Sequence, residues 1–179
     1  MEKQLFKDSE VFVKERPTKL TESQQVKIYK ELATEIIENN WSNNDIDDII
    51  EDLKTLSKST DSGYERAKSL EGYGTNASYR IDTSFIEWLD DFEYHFYSQL
   101  IENVKKWVKA HDIKPKFEKR TELVVVAYIS RSTELKIGEK IFVNGFYEDE
   151  AKYKVYNELD SKRNLLVNYE VIESCCTVY

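Results

Sequence analysis

The fold is decided by residues 84–111, SFIEWLDDFEYHFYSQLIENVKKWVKAH. Their apolar side chains recur every three or four residues, which places them on one face of an α-helix. Ser84 and Glu87 match a capping box, and the lysines of the last turn interact favourably with the helix dipole. The sequence therefore predicts one long central helix of about 28 residues, or about 40 Å. Its apolar stripe consists of Phe85, Leu89, Phe92, Phe96, Leu100, Val104 and Trp107.

After Pro115 the apolar spacing changes from helical to strand-like. Four segments of strand length are rich in β-branched and aromatic residues, namely 122–129, 137–145, 152–156 and 165–172. The run Lys136–Val143, with the two segments that follow it, resembles the opening of a small SH3-like barrel. The C-terminal part is therefore expected to form a small antiparallel β sheet or an SH3-like half-barrel, docked on the helices.

On the N-terminal side of the long helix, three shorter helices are expected. The first covers 21–39, the second begins at a cap on Ser42 or Asn44 and has its apolar stripe from Ile46 to Leu56, and the third covers 61–72. Thr21 and Gln24 match a capping box at the start of the first. A short strand or arm is expected at 5–13. The fold class is thus α+β, with a mainly helical acidic part at residues 1–115 and a small antiparallel β part at residues 116–179.

Negative charge is concentrated in the helical part. Residues 31–104 contain 17 acidic and 5 basic side chains, whereas the whole chain has 34 and 26. Between Glu31 and Leu53 there are eight carboxylates and no Lys or Arg. Such a field attracts basic partners and repels phosphates. The acidic second helix is therefore not expected to read DNA.

The sequence has no pattern typical of catalysis. Its two histidines, His95 and His111, have no metal-ligand spacing around them, and the adjacent Cys175 and Cys176 do not form a disulfide framework. Phosphate-loop and nucleophile-elbow motifs do not occur. We therefore expect a non-enzymatic protein with no cofactor and no metal. Since no signal peptide or membrane-length apolar run is apparent, we expect a cytoplasmic location with no membrane partner.

The acidic helices supply the candidate partner-binding residues. Regularly spaced carboxylates can occupy a protein groove that otherwise holds nucleic acid, because the same field draws both. The alternative is a solvated surface that keeps the protein soluble. Aromatic neighbours would serve as anchors. The candidates are Asp45, Asp47, Asp48, Glu51, Asp52, Asp90, Asp91 and Glu93, with Trp41 and Tyr94 as anchors.

The chain has acidic helices at 31–53 and 82–102 and lacks catalytic motifs. In these two respects it resembles small accessory proteins of phages and mobile elements, including anti-CRISPR and anti-restriction inhibitors. The resemblance implies an inhibitor or adaptor that occupies a basic groove of a nucleic-acid-targeting nuclease. If the protein is phage-encoded, the compartment is the host cytoplasm.

A basic run supports an alternative function, direct binding of RNA or single-stranded DNA. Lysines and arginines can grip phosphates while interleaved aromatic rings stack on bases. In this chain the interleaved rings would be Trp107 and Phe117. The candidate basic residues are Lys105, Lys106, Lys109, Lys116 and Arg120.

Overall fold

The computed structural model describes residues 16–56, 62–72, 74–127, 135–157 and 164–179, and the predicted strand or arm at 5–13 lies outside them. The chain divides into two compact units. The helical unit is Thr18–Leu100, and the sheet unit is Ile101–Tyr179 with Arg16 and Pro17. The change of periodicity suggested a boundary at 115/116, whereas the two units divide between Leu100 and Ile101.

The helical unit begins as predicted. Thr21 and Gln24 form a reciprocal capping box, in which the Thr21 hydroxyl accepts the Gln24 N–H and the Gln24 side chain accepts the Thr21 N–H. The apolar faces of the helices enclose a core that includes Leu32, Ile36, Ile49, Leu53, Phe85 and Leu89. The helices are α1 (Glu22–Glu38), α2 (Ile46–Leu56), α3 (Gly63–Leu70), α4 (Thr83–Asp90) and α5 (Phe92–Ala110), of which α5 belongs to this unit only as far as Leu100.

The prediction of one continuous helix over 84–111 is wrong, because α4 and α5 are separate. Asp91 between them has φ −87° and ψ 0°, and its N–H turns to the carbonyl oxygens of Trp88 and Leu89. At this point α3 meets α4, and the Asp90 carboxylate accepts the N–H of Gly63. The N-cap of α4 is Asp82, which accepts the Phe85 N–H at 3.0 Å, and not the predicted Ser84.

The sheet unit confirms the α+β class with a C-terminal antiparallel sheet. Among the described residues, five strands pair antiparallel in the order β4-β3-β2-β1-β5. The last strand thus returns beside the first. Buried side chains on the inner face of the sheet include Leu123, Ile141, Val143, Tyr153 and Val155. The strands are β1 (Glu122–Val125), β2 (Lys140–Tyr147), β3 (Lys152–Asn157), β4 (Leu165–Asn168) and β5 (Cys176–Val178).

The predicted strand at 165–172 is only half correct. Its first half is β4, but the chain then turns into a short helix, α6 (Tyr169–Cys175). That helix buries Ile172 and leads into β5, which pairs with β1. The alternation of apolar residues from Leu165 to Ile172 therefore continues through two different elements.

Candidate protein-binding surface

The second helix carries a row of solvent-exposed carboxylates: Asp45 just before its first residue, then Asp47, Asp48 and Glu51. Asp47 and Asp48 lie in the first turn, where negative charge interacts favourably with the helix dipole. Glu51 forms an ion pair with Lys54. The hydrogen bond to Glu51 raises the pKa of Lys54, and charge interactions with Glu51, Tyr29 and Asp47 act in the same direction. Four of the predicted carboxylates are thus available at the surface.

Asp52 does not belong to this row, and its expected place on the exposed face is corrected. It is only 2% exposed. Its carboxylate accepts the backbone N–H groups of Asn76 at 2.8 Å and Ala77 at 2.9 Å, and the hydroxyl of Tyr79 at 3.0 Å. Burial, reinforced by the Asp52 carboxylate, raises the pKa of the Tyr79 hydroxyl well above its usual value. Asp52 therefore fastens the chain at 76–79 to α2.

Trp41 was expected as an exposed anchor, and this too is corrected. It is 6% exposed, and its ring lies 5.0 Å from that of Phe85 and 5.6 Å from that of Trp88. Its carbonyl oxygen accepts the Arg80 N–H at 2.6 Å. Burying an indole ring in an aromatic core stabilises the folded state, because it removes apolar surface from water. Trp41 is therefore a core residue.

The acids around the α4–α5 junction are exposed, but two of them already have partners within the helical unit. Asp90 accepts the Gly63 N–H, and Glu93 forms a 2.9 Å ion pair with Arg66. Arg66 is 4% exposed and also donates to the Leu89 carbonyl oxygen at 2.8 Å. Asp91 is exposed at the end of α4. Asp90 and Glu93 thus hold parts of the helical unit together, although both are exposed at its surface.

The aromatic ring expected at this junction is at the surface. Tyr94, on the first turn of α5, is 65% exposed. Tyr97, one turn further along the same helix, is 49% exposed and was not among the candidates. Of the two predicted anchors, Tyr94 is therefore the one that a partner can reach.

A second set of carboxylates lies on α1 and was not among the candidates. Glu31 and Glu38 are exposed and Glu35 is half-buried. Each of the three lies about one helical turn from the next along α1. Lys27 pairs with Glu31 at 3.5 Å, but the last turn of α1 has no basic residue. The absence of Lys and Arg over 31–53 is the sequence feature that points to these carboxylates of α1. We define the acidic surface as Glu31, Glu35, Glu38, Asp45, Asp47, Asp48 and Glu51.

A groove of about 530 Å³ lies between α1 and the first turns of α5, and sequence patterns gave no sign of it. Its floor is apolar and mainly aromatic, formed by Leu20, Tyr29, Phe92 and Phe96. The rings of Tyr29 and Phe96 meet edge to face with centroids 5.1 Å apart. The polar rim consists of Lys19, Gln25 and Glu93. We call this feature the α1–α5 groove.

The basic run of the alternative hypothesis lacks the stacking surface that was expected of it. Trp107 and Phe117 are both buried in the sheet unit. Lys105 pairs with Glu102 at 2.9 Å and lies 3.6 Å from Asp149. The hydrogen bond to Glu102 is the largest cause that raises the pKa of Lys105. The basic residues therefore lie among carboxylates, which would repel phosphates.

The remaining basic candidates are spread around the same segment. Lys106, Lys109, Lys116 and Arg120 are exposed. A cavity of about 430 Å³ beside Lys105 and Lys109 is also lined by Asp112, Glu148 and Asp149. The Lys116 ammonium lies 5.2 Å from the centre of the Phe117 ring. The local charge is thus mixed and not uniformly positive.

Comparison with protein-family models, curated proteins and solved structures gave no match. Within the described ranges, no three or more His, Cys, Asp or Glu side chains gather as a metal site would require. Over the same ranges, none of the helices combines the length and apolarity that crossing a membrane demands.

Proposed function

We propose that the protein is a non-enzymatic binding protein whose helical unit attaches to a basic surface of another protein. The acidic surface would make the contact. The observation that carries this proposal is the position of Glu35 and Glu38 at the C-terminal end of α1, in a helix whose last turn has no basic residue. Carboxylates at that position work against the stability of their own helix.

The cost to α1 has two sources. The C-terminal end of a helix is the negative end of its dipole, so a carboxylate there costs about 0.3–1 kcal/mol. Like charges three or four residues apart, such as Glu31 with Glu35 and Glu35 with Glu38, cost a few tenths of a kcal/mol each. Such residues are compatible with a functional role, because activity is often obtained at a cost in stability.

Solubility alone does not account for the pattern. A surface that only needs to remain soluble is served by mixed positive and negative charges. The acidic surface has no Lys or Arg in the sequence from residue 31 to residue 53. The helices that carry it, α1 and α2, pack together and are consecutive in the chain. Lys27 and Lys54, just outside this stretch, pair with Glu31 and Glu51, so the field over the two helices is negative on balance and not purely of one sign. A net negative field accelerates encounter with an oppositely charged partner.

The partner class follows from this charge. A groove that binds nucleic acid is basic and elongated, and a row of carboxylates on helices can take the place of phosphates in it. We therefore propose a nucleic-acid-targeting nuclease as the partner, with the protein acting as an inhibitor of the phage or anti-defence type. The character of the chain, acidic and without catalytic motifs, supports this choice.

The test is affinity capture with the tagged full-length protein from nuclease-treated lysate. The surface variant is Glu31→Gln, Glu35→Gln and Glu38→Gln together. The matched control removes the same charge elsewhere in the helical unit, with Glu65→Gln, Glu71→Gln and Glu87→Gln, all of which are exposed. We expect a basic protein to be retained by the wild type and the control and lost from the surface variant. Equal retention by all three proteins would contradict the proposal.

The same experiment without nuclease treatment tests the alternative function. If nucleic acid is retained by the wild type and is lost when Lys105, Lys106 and Lys109 are replaced by Gln, the basic run is the working surface. The proposal predicts no such retention, because the mixed charge around that run gives phosphates little net attraction.

A further inference from the structure

Two exposed tyrosines lie beside an exposed carboxylate at the start of α5. Tyr94 is 65% exposed and Tyr97 is 49% exposed. They are three residues apart on one helix, so their side chains are neighbours on its surface. The Tyr94 N–H donates to the Asp91 carbonyl oxygen at 2.9 Å, which places Asp91 one turn before Tyr94. We define the junction face as Asp91, Tyr94 and Tyr97.

The charge around the junction face is negative, and no cation from the same stretch of chain offsets it. Residues 81–100 contain five acidic side chains and no Lys or Arg. Asp91 is exposed, and it has no ion-pair partner among the residues that the structure describes. Arg66 reaches this junction from α3, but it is 4% exposed and Glu93 offsets its charge at a distance of 2.9 Å. A partner that approaches here therefore meets two aromatic rings and an uncompensated carboxylate.

Arginine is the side chain that matches both features of the junction face. Its guanidinium is planar and weakly hydrated, so it can stack on an aromatic ring, and it pairs with a carboxylate through two parallel hydrogen bonds. Lysine can form the ion pair, but its ammonium is strongly hydrated and stacks less well. An uncharged apolar side chain would gain nothing from Asp91, and a phosphate would be repelled by it.

We infer that the junction face receives an arginine of the basic protein partner, which stacks on the tyrosine rings and pairs with Asp91. This inference rests on the proposed function, because it takes a basic protein as the partner, and it goes further by naming the side chain that is recognised. The exposure and the charge of the junction face itself support it. The acidic surface on α1 and α2 would attract any cation, whereas the junction face would distinguish arginine from lysine.

The probe is a pair of fluorescein-labelled peptides, GRRGRRG and GKKGKKG, which have the same length and the same charge. Their affinities for the full-length protein are measured by fluorescence anisotropy at low salt. Tyr94→Leu and Tyr97→Leu together remove both rings but keep apolar side chains of good helix propensity. The matched control is Tyr64→Leu, which removes a ring that is 60% exposed on α3.

We expect the wild type to bind the Arg peptide about fivefold more tightly than the Lys peptide, a ratio typical of stacking on exposed rings. The ratio should fall to about one in the Tyr94 and Tyr97 variant and persist in Tyr64→Leu. Asp91→Asn should weaken the binding of both peptides, because it removes the counter-charge. Equal affinities in the wild type, an Arg preference that survives the loss of both rings, or unchanged binding in Asp91→Asn would overturn the inference.

The failure of this inference is distinguishable from the failure of the proposed function. If the wild type binds both peptides equally and the Glu31, Glu35 and Glu38 variant weakens both, the acidic surface is functional and the junction face is not the receiving site. If neither peptide binds, the proposed attachment to a basic partner fails, and the inference fails with it.

Discussion

Asp48 and Asp52 are one helical turn apart on α2 and have opposite environments. Asp48 is exposed, whereas the carboxylate of Asp52 is enclosed by the backbone N–H groups of Asn76 and Ala77 and by the Tyr79 hydroxyl. Hydrogen bonds to a buried charge contribute more than those between neutral groups, and donors left without their acceptor cost free energy. The same residue type therefore has a structural role at one position and is available for function at the other.

Replacing Asp52 should destabilise the helical unit strongly. Asp52→Ala leaves the buried Ala77 N–H and the part-buried donors of Asn76 and Tyr79 without their acceptor, and we expect a loss of about 2–4 kcal/mol in the free energy of unfolding. Asp48→Ala, the control on the same helix, should cost less than about 1 kcal/mol. Urea unfolding followed by far-ultraviolet circular dichroism measures both. Similar losses in the two variants would contradict the structural role assigned to Asp52.

Reversing the charge of Glu38 should stabilise the fold while it weakens partner binding. Glu38→Lys places a cation at the C-terminal end of α1, and we expect a gain of about 0.3–1 kcal/mol that disappears at high salt. Glu22→Lys makes the same change in the first turn of α1 and should have the opposite sign. Thermal unfolding at low and high salt tests the pair. A destabilised Glu38→Lys protein would remove the observation on which the proposed function rests.

At the scale of the elements, the packing of α3 against α4 depends on a glycine. Gly63 of α3 allows the backbone of α4 to come closer than a side chain at that position would permit. A Cβ atom at Gly63 would lie 2.1 Å from the Ile86 carbonyl oxygen and 2.7 Å from the Asp90 nitrogen. Both are backbone atoms, which cannot move aside as a flexible side chain could. The separation of α4 from α5 occurs beside this contact.

Gly63→Ala should therefore separate α3 from α4. We expect the free energy of unfolding to fall by about 1–3 kcal/mol, the usual range for overpacking. Gly72→Ala is the control, because a Cβ there would meet only the Ser69 carbonyl oxygen at 3.4 Å. That variant should change the stability by less than about 1 kcal/mol. The comparison is made by chemical unfolding, and equal stabilities would show that α3 can move away without cost.

The elements could largely be predicted from the sequence, and each error arises where contacts with distant residues override the local pattern. The apolar residues Leu89, Phe92 and Phe96 keep helical spacing across Asp91, so periodicity could not reveal the break between α4 and α5. The alternation at 165–172 likewise hid the change from β4 to α6. Capping residues and apolar stripes report on neighbours in the chain, and both errors depend on contacts with distant residues.

The candidate surface could be predicted only in part, for a related reason. The run of carboxylates from Glu31 to Glu51 was evident from composition. The burial of Asp52 was not, because the donors that enclose it are 24 to 27 residues further along the chain. The burial of Trp41 depends on Phe85 and Trp88, which are even further away in the sequence. The α1–α5 groove required the packing of two helices that are far apart in the sequence.

At the scale of the whole molecule, the two units differ in charge as well as in architecture. The helical unit has 17 acidic and eight basic residues, so it accounts for all of the net charge of −8 and the rest of the chain is nearly balanced. Each unit also has its own buried core. The charge that would attract a basic partner thus belongs to one unit.

The sheet unit should lose stability at alkaline pH. Burial raises the pKa of the Cys176 thiol to about 11 and that of the Tyr153 hydroxyl to about 12, from usual values of 9.0 and 10.0. The folded state therefore favours the protonated groups, and their contribution is present below about pH 9 and lost as the pH rises through 11 and 12. Urea midpoints measured from pH 8 to pH 12 should fall over that window. In Cys176→Ala the fall should begin at higher pH, and a midpoint that stays constant would contradict the assignment.

The most direct test of the acidic surface is the association rate constant with the captured partner, measured between about 0.1 M and about 1 M salt. Over that range the screening length falls from about 10 Å to about 3 Å, so association driven by charge slows steeply. We predict this slowing for the wild type and for the Glu65, Glu71 and Glu87 control. The Glu31, Glu35 and Glu38 variant should associate slowly at low salt and respond weakly to added salt. A rate that is the same for all three proteins, or that is insensitive to salt in the wild type, would contradict the account.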